Sequence, residues 1–207
     1  MAEARRIHMQ LGYLRRTCQG LLLRIVQAAR ESKKQGFVVV LTSPTQGSGV
    51  SRITSALADA LNFTNDRCAI KLDCRHIDFD RYGYGDPMTV EAPGGANTTA
   101  WRDDEKNDDM REVRETLAGA LSRFQQLYQY VLIDCPSLRE TQDAIRLAPL
   151  VDGVVLVVEA NRTQKEQLSY AERTVEGAKG KILGLVLNKR SYVVPDWLSR
   201  RLEAMGI

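Results

Sequence analysis

The sequence predicts an α/β protein built on a mostly parallel, twisted sheet with helices on both faces. Short runs rich in Val, Ile and Leu recur along the chain, helical stretches separate these runs, and a Gly/Ser/Thr-rich loop follows the first of them. Strands that alternate with helices pair in parallel through right-handed crossovers, which gives a three-layer arrangement. Binding sites in such sheets lie at the carboxyl ends of the strands.

The predicted elements follow one another in a regular order. Residues 1–34 form an N-terminal helical segment, because apolar residues recur there every three or four positions between arginines, with Gly12 and Gly20 as candidate breaks. Residues 35–207 form the sheet domain. Strands are predicted at 37–41, 68–72, 130–133, 153–158 and 182–187, and helices at 51–61, 108–127, 141–148 and 163–178.

One stretch differs in composition from the rest of the sheet domain. Residues 78–107 are rich in Gly, Asp, Pro, Asn and Thr and end in a run of charged residues. Such a composition is typical of a long, flexible loop, so we predict a loop over about 78–107.

Composition excludes several classes of function. The chain has 207 residues, 29 basic and 26 acidic, and a net charge of +3 is too small to indicate a nucleic-acid partner. Four cysteines without C-x-x-C spacing and only two histidines argue against a zinc site. The sequence shows no secretion signal, and its apolar runs fall far short of the roughly 20 residues that a membrane helix needs. We therefore expect a cytoplasmic protein.

The loop from Ser43 to Ser51 has the features of a phosphate-binding loop. Glycines let backbone N–H groups approach an anion, and the helix that follows adds the positive end of its dipole. Gly47, Gly49 and Ser51 fall where such a loop needs them, and the Ser51 hydroxyl would bind Mg²⁺. Val50, however, stands where a lysine would contact the phosphates. A glycine-rich turn that binds nothing is the alternative interpretation of the loop alone.

Two aspartates follow two other predicted strands. Asp73 and Asp134 each come directly after an apolar run, and both should face the same edge of the sheet as the glycine loop. Carboxylates at that edge can hold Mg²⁺ through its water molecules or accept a proton from a hydroxyl nucleophile. Taken singly, each could instead stabilise a loop or a helix terminus.

Five segments together match the motifs of one protein family. Thr42 to Ser51 aligns without a gap to T-S-x-x-P-G-E-G-K-S, residues 70–73 resemble a Walker A′ strand, and residues 130–136 resemble the Walker B strand Y-V-I-I-D-T-P. Residues 143–158 and 184–190 are similar to the family's following elements. The chain thus resembles the bacterial tyrosine kinases of capsule and exopolysaccharide biosynthesis, which are relatives of the deviant-Walker partition ATPases.

The resemblance implies a P-loop NTPase-like fold that binds ATP or ADP with Mg²⁺. It also implies a separate partner, a membrane-embedded polysaccharide chain-length or export protein whose cytoplasmic tail would recruit this chain to the inner face of the membrane. The residues that it implies around the nucleotide are Gly47, Ser48, Gly49, Val50, Ser51, Arg52 and Asn188, and Asn188 stands where relatives contact adenine. Those implied around Mg²⁺ are Ser51, Asp73 and Asp134. Asp73 and Asp134 are also the implied catalytic groups if the chain is active.

The sequence also departs from this family. Val50 replaces the phosphate-binding lysine, Arg75 replaces a second aspartate after the Walker A′ strand, and no run of tyrosines closes the chain. Two hypotheses follow. The favoured one is a degenerate, pseudokinase-like regulator of polysaccharide biosynthesis and export that retains a weakened nucleotide site. The alternative is an active ATPase or protein-tyrosine kinase in which Arg75 or Arg52 replaces the missing lysine.

The N-terminal segment carries part of a further motif. Glu3 to Arg6 resembles the opening of the E-x-x-R-x-x-R motif by which relatives pack into rings, although Met9 stands in place of its last arginine. This resemblance implies self-association. A solvated basic face of a helix, or a helix lying on an anionic membrane, are the other interpretations of the same residues.

Overall fold

A seven-stranded sheet organises the chain in the computed structural model, which describes residues 18–64, 68–76, 87–91, 97–101 and 117–190. The strand order across the sheet is β3-β4-β2-β5-β1-β6-β7, and every neighbouring pair is parallel except β3 and β4. The strands are β1 (Phe37–Thr42), β2 (Ala69–Asp73), β3 (Pro87–Glu91), β4 (Asn97–Trp101), β5 (Tyr130–Asp134), β6 (Gly153–Glu159) and β7 (Ile182–Asn188).

Helices cover both faces of this sheet, which confirms the predicted three-layer α/β fold. Alternate side chains of β1 enter two different cores: Val39 and Leu41 pack towards α1 and α2, whereas Val38 and Val40 pack towards α3, α4 and α5. Such runs, buried on both faces, are typical of central parallel strands. The helices are α1 (described over 18–32), α2 (Val50–Thr64), α3 (Leu117–Leu127), α4 (Asp143–Leu147) and α5 (Lys165–Gly177), and a 3₁₀ turn spans Cys74–His76.

Most predicted elements agree with the structure to within a few residues, and some predictions fall outside its described part. The N-terminal segment is helical over 18–32, and Gly20 lies inside this helix rather than breaking it. Residues 1–17, which include Gly12 and the ring-motif resemblance, lie outside the described residues, as do 191–207. The helix predicted over 108–127 is described only from Leu117.

The prediction of a loop throughout 78–107 is wrong at two places. β3 and β4 lie within this range and pair antiparallel, and β4 extends the parallel sheet by pairing with β2 through Lys71↔Thr98 and Leu72↔Thr99. Both strands carry the β-branched residues that favour strands, but the Gly, Pro and Ala residues of 92–96 and the polar residues on either side dominate the average composition. The other residues of 78–107 lie outside the described part of the chain.

The register of the central strands sets the position of the site. Asp73 pairs with Asp134 across β2 and β5, and Asp134 pairs with Leu41 across β5 and β1. The carboxyl ends of three neighbouring strands therefore meet where the loop after β1 leads into α2.

Candidate functional site

A cavity of about 310 Å³ lies at the carboxyl ends of β1, β2 and β5. It combines the glycine loop, the first turn of α2 and the two aspartates that the sequence placed at this edge. Its lining residues are Ser43, Gln46, Gly47, Ser48, Gly49, Val50, Ser51, Arg52, Asp73, Arg75, Asp134, Cys135, Pro136, Ser137 and Glu140.

Two glycines of the loop have backbone conformations that other residues rarely adopt. The φ angle is +81° at Gly47 and +87° at Gly49, both in the left-handed region where a Cβ atom is strained. α2 starts immediately afterwards, and its first intrahelical bond runs from the Ile53 N–H to the Gly49 carbonyl at 3.2 Å. The earlier N–H groups of this first turn have no intrahelical acceptor, so the loop and the helix start together suit an anion.

The end of β7 holds the glycine loop in place. The buried side chain of Asn188 donates from Nδ2 to the Ser48 carbonyl at 2.9 Å. The next residue, Lys189, donates from Nζ to the Gly47 carbonyl at 2.6 Å and lies 3.2 Å from a Glu159 carboxylate oxygen. The amide of Asn188 is therefore bonded to the loop itself. Sequence reasoning gave no role to Lys189 or Glu159, although Lys189 directly follows the asparagine that the motif singled out.

Val50 puts no charge at the loop. Its side chain is 9% exposed, belongs to the core cluster on the α1/α2 side of the sheet and also lines the cavity. Ser51 and Arg52 follow it in the first turn of α2, are both exposed and both line the cavity. The structure thus brings every loop residue that the sequence named to one cavity.

Asp73 is paired with Arg75. The guanidinium donates from Nε to Oδ1 at 3.0 Å and from Nη2 to Oδ2 at 2.7 Å, and the Arg75 backbone N–H donates to Oδ1 at 3.0 Å. Burial by itself raises the pKa of Asp73, but the hydrogen bonds and positive charge of Arg75 outweigh it, so that the pKa lies below its ordinary value. Asp73 is therefore held in its charged form with both oxygens engaged.

Asp134 is paired with a lysine that sequence reasoning missed. Lys71 lies in the middle of β2 and is only 8% exposed, and its Nζ is 3.0 Å from Oδ2 of Asp134. The ammonium also donates to Ser55 Oγ at 3.1 Å and to the Ser51 carbonyl at 3.4 Å. The approach to Asp134 is not aligned for a hydrogen bond, and Oδ2 accepts none from the described residues. A lysine inside a buried, apolar strand was the available signal.

The residues of this site fit the phosphates of a nucleotide better than they fit Mg²⁺. The left-handed glycines and the start of α2 suit phosphate groups. The two carboxylates do not offer a divalent cation the free negative charge that it needs, because each already has a basic partner. Among the described residues, no group of three or more His, Cys, Asp or Glu is arranged to hold a metal ion.

Comparison with known proteins finds relatives that include tyrosine-protein kinases and a polysaccharide biosynthesis transport protein. Tyrosine-protein kinase CpsD of Streptococcus agalactiae serotype Ia is 31% identical over 77 residues, which are 37% of this chain and 33% of that protein. The succinoglycan biosynthesis transport protein ExoP of Rhizobium meliloti is 32% identical over 73 residues, 35% of this chain and 9% of that protein. The matches thus span a third or less of these relatives. They confirm the resemblance to bacterial tyrosine kinases, although no protein-family model matches the chain.

Solved structures confirm the fold. The VpsO kinase domain has a TM-score of 0.67 at 18% identity and covers 89% of this chain and 98% of its own. A cobyrinic acid a,c-diamide synthase from Mycobacterium smegmatis, solved with an ATP analogue and magnesium, has a TM-score of 0.54 at 18% identity over 82% of this chain and 81% of its own. These neighbours identify a P-loop NTPase-like fold. Within the described residues, no helix has both the length and the apolar character to cross a bilayer.

Proposed function

We propose that this chain is a kinase-like protein that binds ATP or ADP at the glycine loop, transfers no phosphoryl group and regulates the biosynthesis or export of a bacterial polysaccharide. The observation that carries the proposal is Val50, an apolar and largely buried side chain at the position of the phosphate-binding lysine. Phosphoryl transfer depends on positive charge that stabilises the transferring group, and a valine supplies none.

Nucleotide binding survives the loss of the lysine in this proposal. The loop retains Gly47, Gly49 and the N–H groups at the start of α2, which are the backbone part of a phosphate site. A hydrogen bond to a charged group contributes about 1.5–3 kcal/mol, so its loss weakens affinity without abolishing it.

The lowered pKa and the hydrogen bonds of Asp73 also favour a protein without transferase activity. A general base works best when its pKa lies near the working pH, whereas the Arg75 guanidinium holds the pKa of Asp73 below its ordinary value. Both oxygens of this carboxylate already accept hydrogen bonds from Arg75. Asp73 is thus a weak candidate for taking the proton of a tyrosine hydroxyl.

One observation supports the active alternative. Arg75 lines the cavity and directs its Nε and Nη2 to Asp73, which leaves the second terminal nitrogen, Nη1, for an anion. Arg52 lines the same cavity from α2. An arginine that replaced the lysine would make the chain an ATP-dependent kinase or ATPase, and the experiment below separates the two.

The polysaccharide system and the partner come from the relatives. CpsD is named a tyrosine-protein kinase and ExoP a succinoglycan biosynthesis transport protein. By analogy we propose that a membrane-embedded chain-length or export protein recruits this chain to the inner face of the membrane through a cytoplasmic tail, with self-association as a further element.

The test measures binding and transfer side by side. Titration calorimetry with ADP should detect binding to the unmodified chain, and Val50→Lys should bind about ten times more tightly because it restores a charged contact. Val50→Met is the matched control, because it lengthens the side chain without adding charge and should leave the affinity within about threefold of the unmodified chain.

The transfer arm uses ATP labelled at the γ-phosphate. No label should enter the unmodified chain or an added membrane fraction. Incorporation that disappears in Asp134→Ala would establish the active alternative and refute a pseudokinase. Failure of the unmodified chain and of Val50→Lys to bind either nucleotide would refute the nucleotide site itself.

A further inference from the structure

We propose that this site binds its nucleotide without a divalent metal ion, because Lys71 and Arg75 supply from the protein the positive charge that Mg²⁺ would otherwise bring. This inference rests on the proposed nucleotide site and specifies the form of ligand that it takes, namely a metal-free nucleoside di- or triphosphate.

The first step is the neutralisation of both aspartates. Arg75 engages the two oxygens of Asp73 at 3.0 and 2.7 Å, and the Lys71 ammonium lies 3.0 Å from Oδ2 of Asp134. A hydrated Mg²⁺ ion is held near phosphates by carboxylates that have charge to share. Here each carboxylate already faces a basic side chain of the protein itself.

The second step is the position of the Lys71 charge. Val50 places no cation at the loop, and Lys71 lies on β2, two strands from β1, with Nζ 3.4 Å from the carbonyl of Ser51, the residue after Val50. Lys71 lies on the same helix-facing side of β2 as Ala69, and its positive charge also acts on Asp59 of α2. Among the described residues, the carboxylate that its ammonium approaches within 4 Å is that of Asp134. Its side chain is 11% exposed.

The third step is the balance of charge around the cavity. Arg52, Arg75 and the underlying Lys71 oppose Asp73, Asp134 and Glu140, so the basic and acidic groups are equal in number. An anion that enters meets a neutral site with N–H donors, rather than two uncompensated carboxylates that require a metal ion before phosphate can approach.

The experiment measures ADP and ATP affinity by calorimetry in excess EDTA and in excess MgCl₂. For the unmodified chain, the nucleotide affinity in EDTA and the affinity in MgCl₂ should agree within about threefold. Arg75 is exposed, so the fold should tolerate Arg75→Gln, which removes a charged donor and leaves the carboxylate of Asp73 without its basic partner. It should lower the metal-free affinity about tenfold and make binding at least tenfold tighter in Mg²⁺ than in EDTA.

Three further variants complete the test. Lys71→Met should also create dependence on Mg²⁺, because it leaves Asp134 uncompensated. The double variant Lys71→Met with Asp134→Asn removes both charges of the buried pair and should return the ratio of affinities to near one, which keeps the test decisive if the single variant fails to fold. Arg173→Gln, an equal loss of charge on the exposed face of α5, is the matched control and should change neither affinity.

The outcomes separate the two proposals. Binding in Mg²⁺ that falls more than thirtyfold in EDTA would overturn the metal-free site and leave the nucleotide site standing. An unchanged affinity ratio in Arg75→Gln, and in Lys71→Met where it folds, would also overturn it, and so would a double variant that binds at least tenfold more tightly in Mg²⁺ than in EDTA. The absence of binding in both buffers would overturn the proposed nucleotide site, and the inference with it.

Discussion

Substitution of Gly49 by alanine is the most direct test of how the loop is held. Gly49 has a φ angle of +87°, and an added Cβ would lie 2.5 Å from Nδ2 of Asn188. That amide is not free to move, because it donates to the Ser48 carbonyl at 2.9 Å and is buried. The substitution therefore strains the backbone and displaces a fixed side chain at the same time.

The magnitude follows from these two effects. A non-glycine residue in the left-handed region costs about 1–2 kcal/mol. Displacing Asn188 sacrifices a buried hydrogen bond, a loss of about 0.5–1.5 kcal/mol. We expect Gly49→Ala to lower the free energy of unfolding by about 2–3 kcal/mol, measured by urea denaturation followed by circular dichroism.

The control is Gly177→Ala in α5, where an added Cβ meets nothing within 4 Å and no left-handed conformation is required. This variant should equal or exceed the stability of the unmodified chain, by up to about 1 kcal/mol. In an Asn188→Ala background, Gly49→Ala should cost only its backbone strain, a coupling of about 1 kcal/mol. A Gly49→Ala variant within about 0.5 kcal/mol of the unmodified chain would refute the clash with Asn188.

Three other predictions concern packing in the core, unfolding in acid and the reactivity of the cysteine thiols. Gly153→Ala should lower the urea midpoint by the equivalent of about 1–3 kcal/mol, because its Cβ would lie 2.2 Å from Cγ of Leu183. The pKa of Asp73 is lower in the folded chain, so this carboxylate stabilises the fold above its unfolded pKa of about 3.9, and the contribution disappears as the pH falls through the folded pKa. Arg75→Gln should accordingly move the acid unfolding midpoint, followed by circular dichroism, to a higher pH. Burial raises the pKa of Cys18 to about 11, and Cys68, Cys74 and Cys135 are buried as well. The native chain at neutral pH should therefore react with a chromogenic disulfide reagent only after unfolding, as measured by the absorbance of the thiolate that the reagent releases.

The parallel core of the fold could be predicted because its signal is local. β1, β5 and β6 are runs of β-branched and leucine residues buried on both faces, and such runs occur where helices cover a sheet on both sides. β3 and β4 could not be predicted in this way, since both are only five residues long and they are placed in the sheet by backbone pairing with each other and, for β4, with β2. The composition of the residues around them, rather than of the strands themselves, is close to that of a loop.

The parts of the site that short sequence motifs define could be predicted, whereas the contacts between distant residues could not. The glycine loop and the two aspartates follow directly from strand ends in the sequence, and the structure brings all of them to one cavity. The partner of Asp134 depends on the register of β2 against β5, and on which face of β2 carries Lys71, and neither is encoded in a short motif. The alternative hypothesis places Arg75 or Arg52 at the phosphates, and in the structure the guanidinium of Arg75 donates to Asp73, only two residues away.

Val50 and Lys71 are best understood together. Removing a lysine from a phosphate loop, with nothing else changed, would leave two carboxylates facing an anion and would make a metal ion more necessary for binding. In this chain Lys71 of β2 pairs with Asp134 and Arg75 pairs with Asp73, so the acidic edge is neutral before any ligand enters. Such an arrangement favours holding a nucleotide over reacting with it, because fixed ion pairs stabilise the resting charges of the site rather than the charge that develops during transfer. The same residues are therefore consistent with the regulatory, ligand-binding role that we propose.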